Sequence, residues 1–344
     1  MFELLLTACL EAEPSQCRTE RLPGAETLAA CREAARLGAA GFPAHFEVQS
    51  YPCVPAGTTP DFTVTEIAPG VFVHKGQHGE PGPENGGDLA NLGFVIGPEA
   101  VAVIDTGTTP AVGAALLAAI RAETDLPVRY VILTHMHPDH SLGTAAFAGQ
   151  GEVLAHHRMG PALESRRETY LAAMSRMLGP HMAETAIVLP DRGIAAPEEI
   201  SLGPGRALAL VPHPTAHTDN DLTVLDRASG TLFAGDLSFV GHLPAIDGSV
   251  LGWADLLGDL AAMEGVVRVV PGHGPVALAQ GPAFAPTAAY LDQLIRETRA
   301  AVAAGTPMLE AIRTLGRNGD YPWLLFEIFH ARNVTAAYKE LEWE

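Results

Sequence analysis

Residues Thr134–His140 read THMHPDH. Three histidines and an aspartate directly follow the run Val128–Leu133, apolar except for Arg129. That composition fits a strand largely covered on both faces. Ligand sites in α/β folds gather where such strands end. Alternate residues of an extended segment share a face, so His135 and His137 can grip one ion together. Pro138 fixes its own backbone angle and turns the chain. Asp139 and His140 can then face a second ion beside the first.

Three further strand ends repeat the pattern. LALVPHPTAHTDND carries His213 and His217, TLFAGDLSF carries Asp236, and RVVPGHGP carries His273. A lone histidine at a strand end is an ordinary structural residue. Four strand ends bearing His or Asp, one with HxHxDH spacing, point to metal binding. The donors are imidazoles and carboxylates without thiolate, a set that suits zinc and tolerates iron or manganese. Asp105, at the end of Val101–Ile104, reads either as a carboxylate orienting a ligand imidazole or as a turn acid. His74 and His78 flank a Gly-, Pro- and acid-rich stretch, HKGQHGEPGPENGGD. It reads as a flexible loop, either a lid touching substrate or a solvated hairpin tip. His242 follows GDLSFVG and is a candidate substrate contact.

The rest of the chain sets the frame. It has 344 residues, 14 of them histidine, and a net charge of −19. Its sequence pI is near 5.1. An acidic surface repels phosphate backbones, which argues against nucleic acid and anionic lipid. No stretch approaches the roughly 20 apolar residues of a membrane span. The four cysteines, Cys9, Cys17, Cys31 and Cys53, all lie near the start. Even number and clustering predict two disulfides and an oxidising compartment, with the connectivity open. The other reading, a zinc site, lacks a CxxC pair. If the protein is exported, its signal is expected to have been removed from this sequence.

Short β-rich runs alternate with helical patterns from Asp61 onward, which predicts an α/β architecture. The expected organisation is a small Cys-rich unit over 1–56, a linker over 57–60, a main domain over 61–282 and a helical extension over 283–344. Within the first unit a strand, a polar loop, a helix near Ala25–Leu37 and an extended segment, Phe46–Cys53, are expected. A helix is expected to begin at Pro286, a proline at the first helical position.

In order, HxHxDH, AHT, GD and GHG resemble the metallo-β-lactamase superfamily, together with NLGF at Asn91 and IDTG at Ile104. The resemblance covers about Asp61–Ala279. It implies an αβ/βα four-layer sandwich with a binuclear zinc site in the cleft between two sheets. By position it implies that His135, His137 and His217 hold the first metal. Asp139, His140 and His273 hold the second, and Asp236 bridges. The AHTD context favours His217 over His213, which becomes a wall residue at most. The cysteine-bearing start, HTDNDLTV, DGSVLGW and the closing RNVTAAYKELEWE are similar to the SoxH-like group of quinoprotein relay system zinc metallohydrolases. That likeness implies export and an association with PQQ-dependent dehydrogenases.

The function expected is a binuclear zinc hydrolase. A metal-bridging hydroxide, positioned by Asp139 and Asp236, attacks the carbonyl of a small thioester, lactone, ester or β-lactam-like substrate. The resemblance also implies a bias: many dedicated β-lactamases lack the bridging aspartate that this chain has. The alternatives are an iron-dependent redox enzyme on the same scaffold, of the persulfide dioxygenase kind, and a periplasmic accessory protein docking a partner through its N-terminal unit.

Overall fold

The computed structural model describes residues 2–10, 13–41, 46–50, 53–55, 62–317 and 321–344. The N-terminal unit is a four-stranded sheet with one helix. Its elements are β1 (Phe2–Leu10), β2 (Glu13–Ala25), α1 (Leu28–Gly41), β3 (Phe46–Ser50) and β4 (Cys53–Pro55). β1 pairs antiparallel with each of the three other strands. The stretch expected as a polar loop is therefore β2. It is an edge strand of polar sequence, which edges favour and which leaves no alternating apolar signal. Cys31 and Cys53 form a disulfide packed with Leu4 and Ala35. Cys9 and Cys17 are register partners across β1 and β2, but their side chains lie outside the described residues. The linker expected over 57–60 lies wholly outside them.

The main body holds two sheets. The first contains β5 (Val64–Ala68), β6 (Val71–His74), β7 (Leu92–Ile96), β8 (Val101–Ile104), β9 (Val128–Leu133), β10 (Glu152–His156) and β11 (Arg192–Ile194), in the spatial order β11-β10-β9-β8-β7-β6-β5. The second contains β12 (Glu198–Ser201), β13 (Ala207–Pro212), β14 (Leu222–Asp226), β15 (Thr231–Phe239) and β16 (Arg268–His273), in chain order. Side chains alternate faces along a strand, and that alternation builds the layers. Val101, Val103, Val131 and Leu133 join a core with helices α2 (Pro110–Glu123) and α4 (Met159–Leu178). Their neighbours Ala102, Ile104 and Ile132 meet Leu208, Leu210, Val224 and Phe233 of the facing sheet. Ala209, Leu225, Leu232 and Val269 point the other way, toward α5 (Val250–Ala261), α6 (Gln280–Ala303) and α8 (Phe326–Leu341). The result is the expected four-layer αβ/βα sandwich. A one-turn helix α3 (Pro138–Ser141) and a short α7 (Met308–Thr314) complete the set.

α6 starts at Gln280, six residues before the expected Pro286. Pro286 removes one intrahelical hydrogen bond. The helix continues because Ala283, Phe284, Tyr290 and Leu291 are buried along one face. The boundary expected at 282/283 thus falls inside a helix, and the C-terminal extension is continuous with the main body. The segment after His74 is also more ordered than expected. Asn85 accepts from the amides of Gly82 and Gly87 and donates to Glu80 O, and Asn85 and Asp88 are buried.

The Cys31–Cys53 bond spans 22 residues, so it limits the unfolded chain by about 3 kcal/mol in the loop-entropy picture. Cys31→Ser is expected to make the N-terminal unit the first site of limited proteolysis, leaving the main body intact. Identical cleavage kinetics in variant and parent would contradict this.

Candidate metal centre

β9 ends at Leu133, and Thr134 fixes the exit of the chain. Asp105, just past β8, accepts from Thr134 N through Oδ1 and from Thr134 Oγ1 through Oδ2, each at 2.8 Å. Asp105 does this from a left-handed backbone, φ 59°. That conformation is uncommon for a residue with a Cβ and is best tolerated by Asp and Asn. From this anchor the chain delivers His135 and His137, then Pro138 starts α3 and carries Asp139 and His140 inward. His217 arrives on the turn after β13, Asp236 within β15 and His273 at the end of β16.

Two ligand groups form, His135–His137–His217–Asp236 and Asp139–His140–His273. Nε2 of His135 and Nε2 of His217 lie 3.1 and 3.0 Å from Nδ1 of His137. Asp236 joins the groups. Its Oδ2 is 3.6 Å from His135 Nε2 and 3.4 Å from His217 Nε2, and its Oδ1 is 3.1 Å from His140 Nε2 and 3.4 Å from His273 Nε2. Asp139 Oδ2 closes the second group, 3.3 Å from His273 Nε2 and 3.7 Å from His140 Nε2.

The opposite ring nitrogens decide what the converging ones can do. His217 Nδ1 donates to Ala245 O, His273 Nδ1 to Leu89 O, and His140 Nδ1 to Asp105 Oδ2. His137 Nε2 donates to Asp247 Oδ2. Thr134 Oγ1, its own proton given to Asp105, accepts from His135 Nδ1 at 3.1 Å. Each imidazole therefore has an outward acceptor for one N–H, which leaves the other nitrogen to turn a lone pair inward in the neutral form. Lone pairs 3.0–3.1 Å apart repel unless a cation lies between them. A tetrahedron of zinc–nitrogen bonds near 2.0 Å has edges of about 3.3 Å, close to the spacing seen. His140 Nε2 and Asp236 Oδ1 are buried with no hydrogen-bond partner among the described residues, as expected of atoms meant for metal. The residues fit a pair of divalent cations.

Charge tells the same story. Burial disfavours an imidazolium, yet Asp236, Asp105 and Asp139 hold His140 well above its usual pKa. His273, equally buried, is raised to about 9 by Asp236 and Asp139. Burial lowers His217 to about 3, with Asp236 opposing. The second group thus draws positive charge, and the histidine-rich first group offers neutral imidazole.

Gly272 gives Asp236 its room: a Cβ there would stand 1.9 Å from Asp236 Oδ1. Gly235 has φ 52°, and a Cβ would lie 2.7 Å from Thr134 Oγ1.

Asp105 thus holds a ligand imidazole, as one of its two readings expected. The other candidates separate. His242 lies flat on His273, ring centroids 4.9 Å apart, and its Nδ1 donates to Leu243 O. His78 meets His242 edge-on at 6.0 Å, so both flank the second group. His213 joins neither group: its Nε2 pairs with Thr223 Oγ1 at 2.8 Å. His74 leaves no nitrogen for substrate, since Nδ1 pairs with Thr63 O and Nε2 with Asp88 Oδ1. Its strand end is buried under Phe62, which is why the lid reading fails for it. Sequence reasoning missed Asp247, which looks like an ordinary turn acid before Gly248. It also missed Tyr170 on α4, whose buried hydroxyl has no partner among the described residues. Burial raises the Tyr170 pKa, as do Asp247, Asp139 and Asp219, so the hydroxyl stays a neutral donor in the field of these acids.

Gly272→Ala must push the Asp236 carboxylate aside. Zinc affinity, read by competition with a chromophoric chelator, is expected to fall at both sites by about 10–100-fold, the range seen when a ligand's support is removed. Asp105→Ala is expected to weaken the second site by a similar factor. Unchanged affinity in either variant would contradict the geometry.

Comparison with known proteins bears on the whole arrangement. Over 193 residues the chain is 31% identical to a hydroxyacylglutathione hydrolase of Anaeromyxobacter dehalogenans (strain 2CP-C), covering 54% of this chain and 65% of that one. Over 60 residues it is 36% identical to a linear primary-alkylsulfatase of Pseudomonas sp. (strain ATCC 19151), covering 17% of this chain and 11% of that one. The chain thus spans just under two thirds of the first relative and about a tenth of the second. Among solved structures, a metallo-beta-lactamase from Pontibacter korlensis superposes with TM-score 0.54 at 22% identity, covering 67% of this chain and 99% of that one. The DIM-1 metallo-beta-lactamase superposes with TM-score 0.53 at 16% identity, covering 68% and 98%. At these identities the likeness speaks for the fold alone. Residues 85–275 match the family described as the metallo-beta-lactamase superfamily. That span is more than half of the chain and contains both ligand groups entire, so the chain belongs to the metallo-beta-lactamase superfamily.

Proposed function

We propose that this protein is a binuclear, zinc-dependent hydrolase of small carbonyl substrates, with thioesters the first class to test. The observation that carries the reading is Asp236, whose two oxygens face two separate sets of inward lone pairs. Two divalent cations bound there would lower the pKa of water toward about 7 and polarise a carbonyl. The chain's own residues do the rest. Asp139 and Asp236 bracket the space between the groups and would orient a water through their oxygens, and Asp139, which meets the second group through Oδ2 alone, would accept its proton. Asp105, Thr134, Asp247 and the carbonyls of Ala245 and Leu89 keep the imidazoles from turning. The unpartnered hydroxyl of Tyr170, which feels the charges of Asp247 and Asp139, would donate to a substrate oxygen.

Thioesters come first because the matched relative of Anaeromyxobacter is a hydroxyacylglutathione hydrolase. Lactones, esters and β-lactams present the same carbonyl chemistry. The reading includes an extracytoplasmic site of action, supported by the Cys31–Cys53 disulfide, a bond that persists in oxidising compartments. Association with PQQ-dependent dehydrogenases rests on the likeness of the HTDNDLTV, DGSVLGW and RNVTAAYKELEWE stretches.

The test is a screen of thioesters, lactones and β-lactams with protein of measured metal content. Zinc-loaded protein is expected to hydrolyse at least one class, to lose the activity on chelation and to regain it with zinc. Tyr170→Phe is expected to lower kcat/KM about tenfold with metal content unchanged. A fully loaded protein inert on every class would sink the hydrolase reading. Protein purified without added metal that carries iron would favour the redox alternative.

A further inference from the structure

We propose that Asn333, on the C-terminal helix α8, positions His217 for metal. The inference rests on the metal-centre reading above and extends it to a helix that supplies no ligand.

The argument begins with a backbone accounting. The segment between β15 and α5 has no regular structure over 243–246. Its polar groups must still be paired where they are buried. Asn333 is 1% exposed and meets this segment on both sides of Ala245. Its Nδ2 donates to Pro244 O at 2.6 Å, and its Oδ1 accepts from Ile246 N at 3.0 Å. Ala245, held between them, presents its carbonyl to His217 Nδ1 at 2.7 Å. The next residue returns the contact, Asp247 N donating to His217 O at 3.0 Å. Asp247 then uses its carboxylate on His137 Nε2 at 3.2 Å. One buried amide thus fixes the outward partners of two histidines of the first group.

Asn333 is itself held in one orientation. His330 Nε2 donates to Leu315 O, which leaves Nδ1 as an acceptor. Tyr290 Oη donates to that Nδ1 at 3.1 Å, and its oxygen accepts from Asn333 Nδ2 at 3.0 Å. Every donor in the chain from Leu315 O to Ile246 N has an assigned acceptor, so the amide cannot flip without breaking bonds at both ends. About two turns further along α8, Glu340 takes the far end of the same segment. Its Oε1 accepts from Ser249 Oγ at 2.6 Å and its Oε2 from Val250 N at 2.7 Å. Leu324, just before α8, holds the near end: its N donates to Gly241 O and its O accepts from Leu243 N. DGSVLGW, HTDNDLTV and RNVTAAYKELEWE, three separate stretches of sequence, therefore interlock around His217.

The experiment uses the full-length protein, metal-depleted and titrated with zinc against a chromophoric chelator, with the cobalt-substituted absorption spectrum as a second readout. Asn333→Ala is compared with Tyr338→Phe. Tyr338 also lies on α8, but its hydroxyl donates to Thr306 O at 2.8 Å, away from the 241–249 segment, so this variant loosens the helix without touching the loop. Asn333→Ala is expected to bind zinc at the first site about tenfold more weakly, the lower end for loss of an outer support, and to shift the cobalt bands. Tyr338→Phe should match the parent in both. Equal affinity and spectra in all three proteins would overturn the positioning role. If Asn333→Ala does not fold, Asn333→Asp, which keeps the acceptor for Ile246 N but has no N–H for Pro244 O, is read in the same way: a weakened first site supports the proposal, and an unchanged one overturns it. A parent protein that binds no metal overturns the metal-centre reading itself, an outcome distinct from a parent that binds two ions and a variant that binds them equally well.

Discussion

Seven side chains converge on a space whose carboxylates draw positive charge toward them. Five imidazoles meet there, and the buried carboxylate of Asp236 and the half-buried one of Asp139 add negative charge. Such a cluster is costly to assemble, since buried polar atoms without partners oppose folding. The two sheets exist here in a relation that makes the cost bearable. They are closed against each other by a dry layer of Val, Ile, Leu and Phe, which lets four strand ends meet at one rim. The hydrogen bonds behind the ligands then orient each imidazole, so the inward atoms meet at one place.

The support comes from distant parts of the chain. Asp105 leaves β8 in a left-handed conformation to reach Thr134 and His140. Leu89, in the connection between β6 and β7, presents its carbonyl to His273. The 241–249 segment, pinned by α8, reaches His217 and His137. The C-terminal helices pack on the second sheet and, through Asn333 and Glu340, hold the segment that meets the ligands.

Much of this was legible in the residues. The apolar runs Val101–Ile104 and Val128–Leu133 marked buried strands, and histidines after strands marked the rim. The spacing of His135, His137, Asp139 and His140 divides them into two pairs, and the structure places the pairs in two different clusters, an extended stretch carrying the first and a proline-led turn the second. What stayed hidden had physical reasons. β2 is a polar edge strand and β11 and β12 are short edges, so the sequence there carries no alternating apolar pattern. Pro286 resembled a helix start, but packing of Phe284 and its neighbours extends α6 in front of it. The carbonyls of Ala245 and Leu89 carry no side-chain signal at all. His74 and His213 looked like site residues by type, and only their partners, Asp88 and Thr223, reveal them as structural.

The central claim is that one carboxylate, Asp236, joins two cation sites. Anomalous diffraction at the zinc edge from crystals grown with saturating zinc tests it most directly. The account predicts two peaks per chain, one against Oδ2 among His135, His137 and His217, the other against Oδ1 among Asp139, His140 and His273. A single peak, or peaks seated away from Asp236, would contradict it.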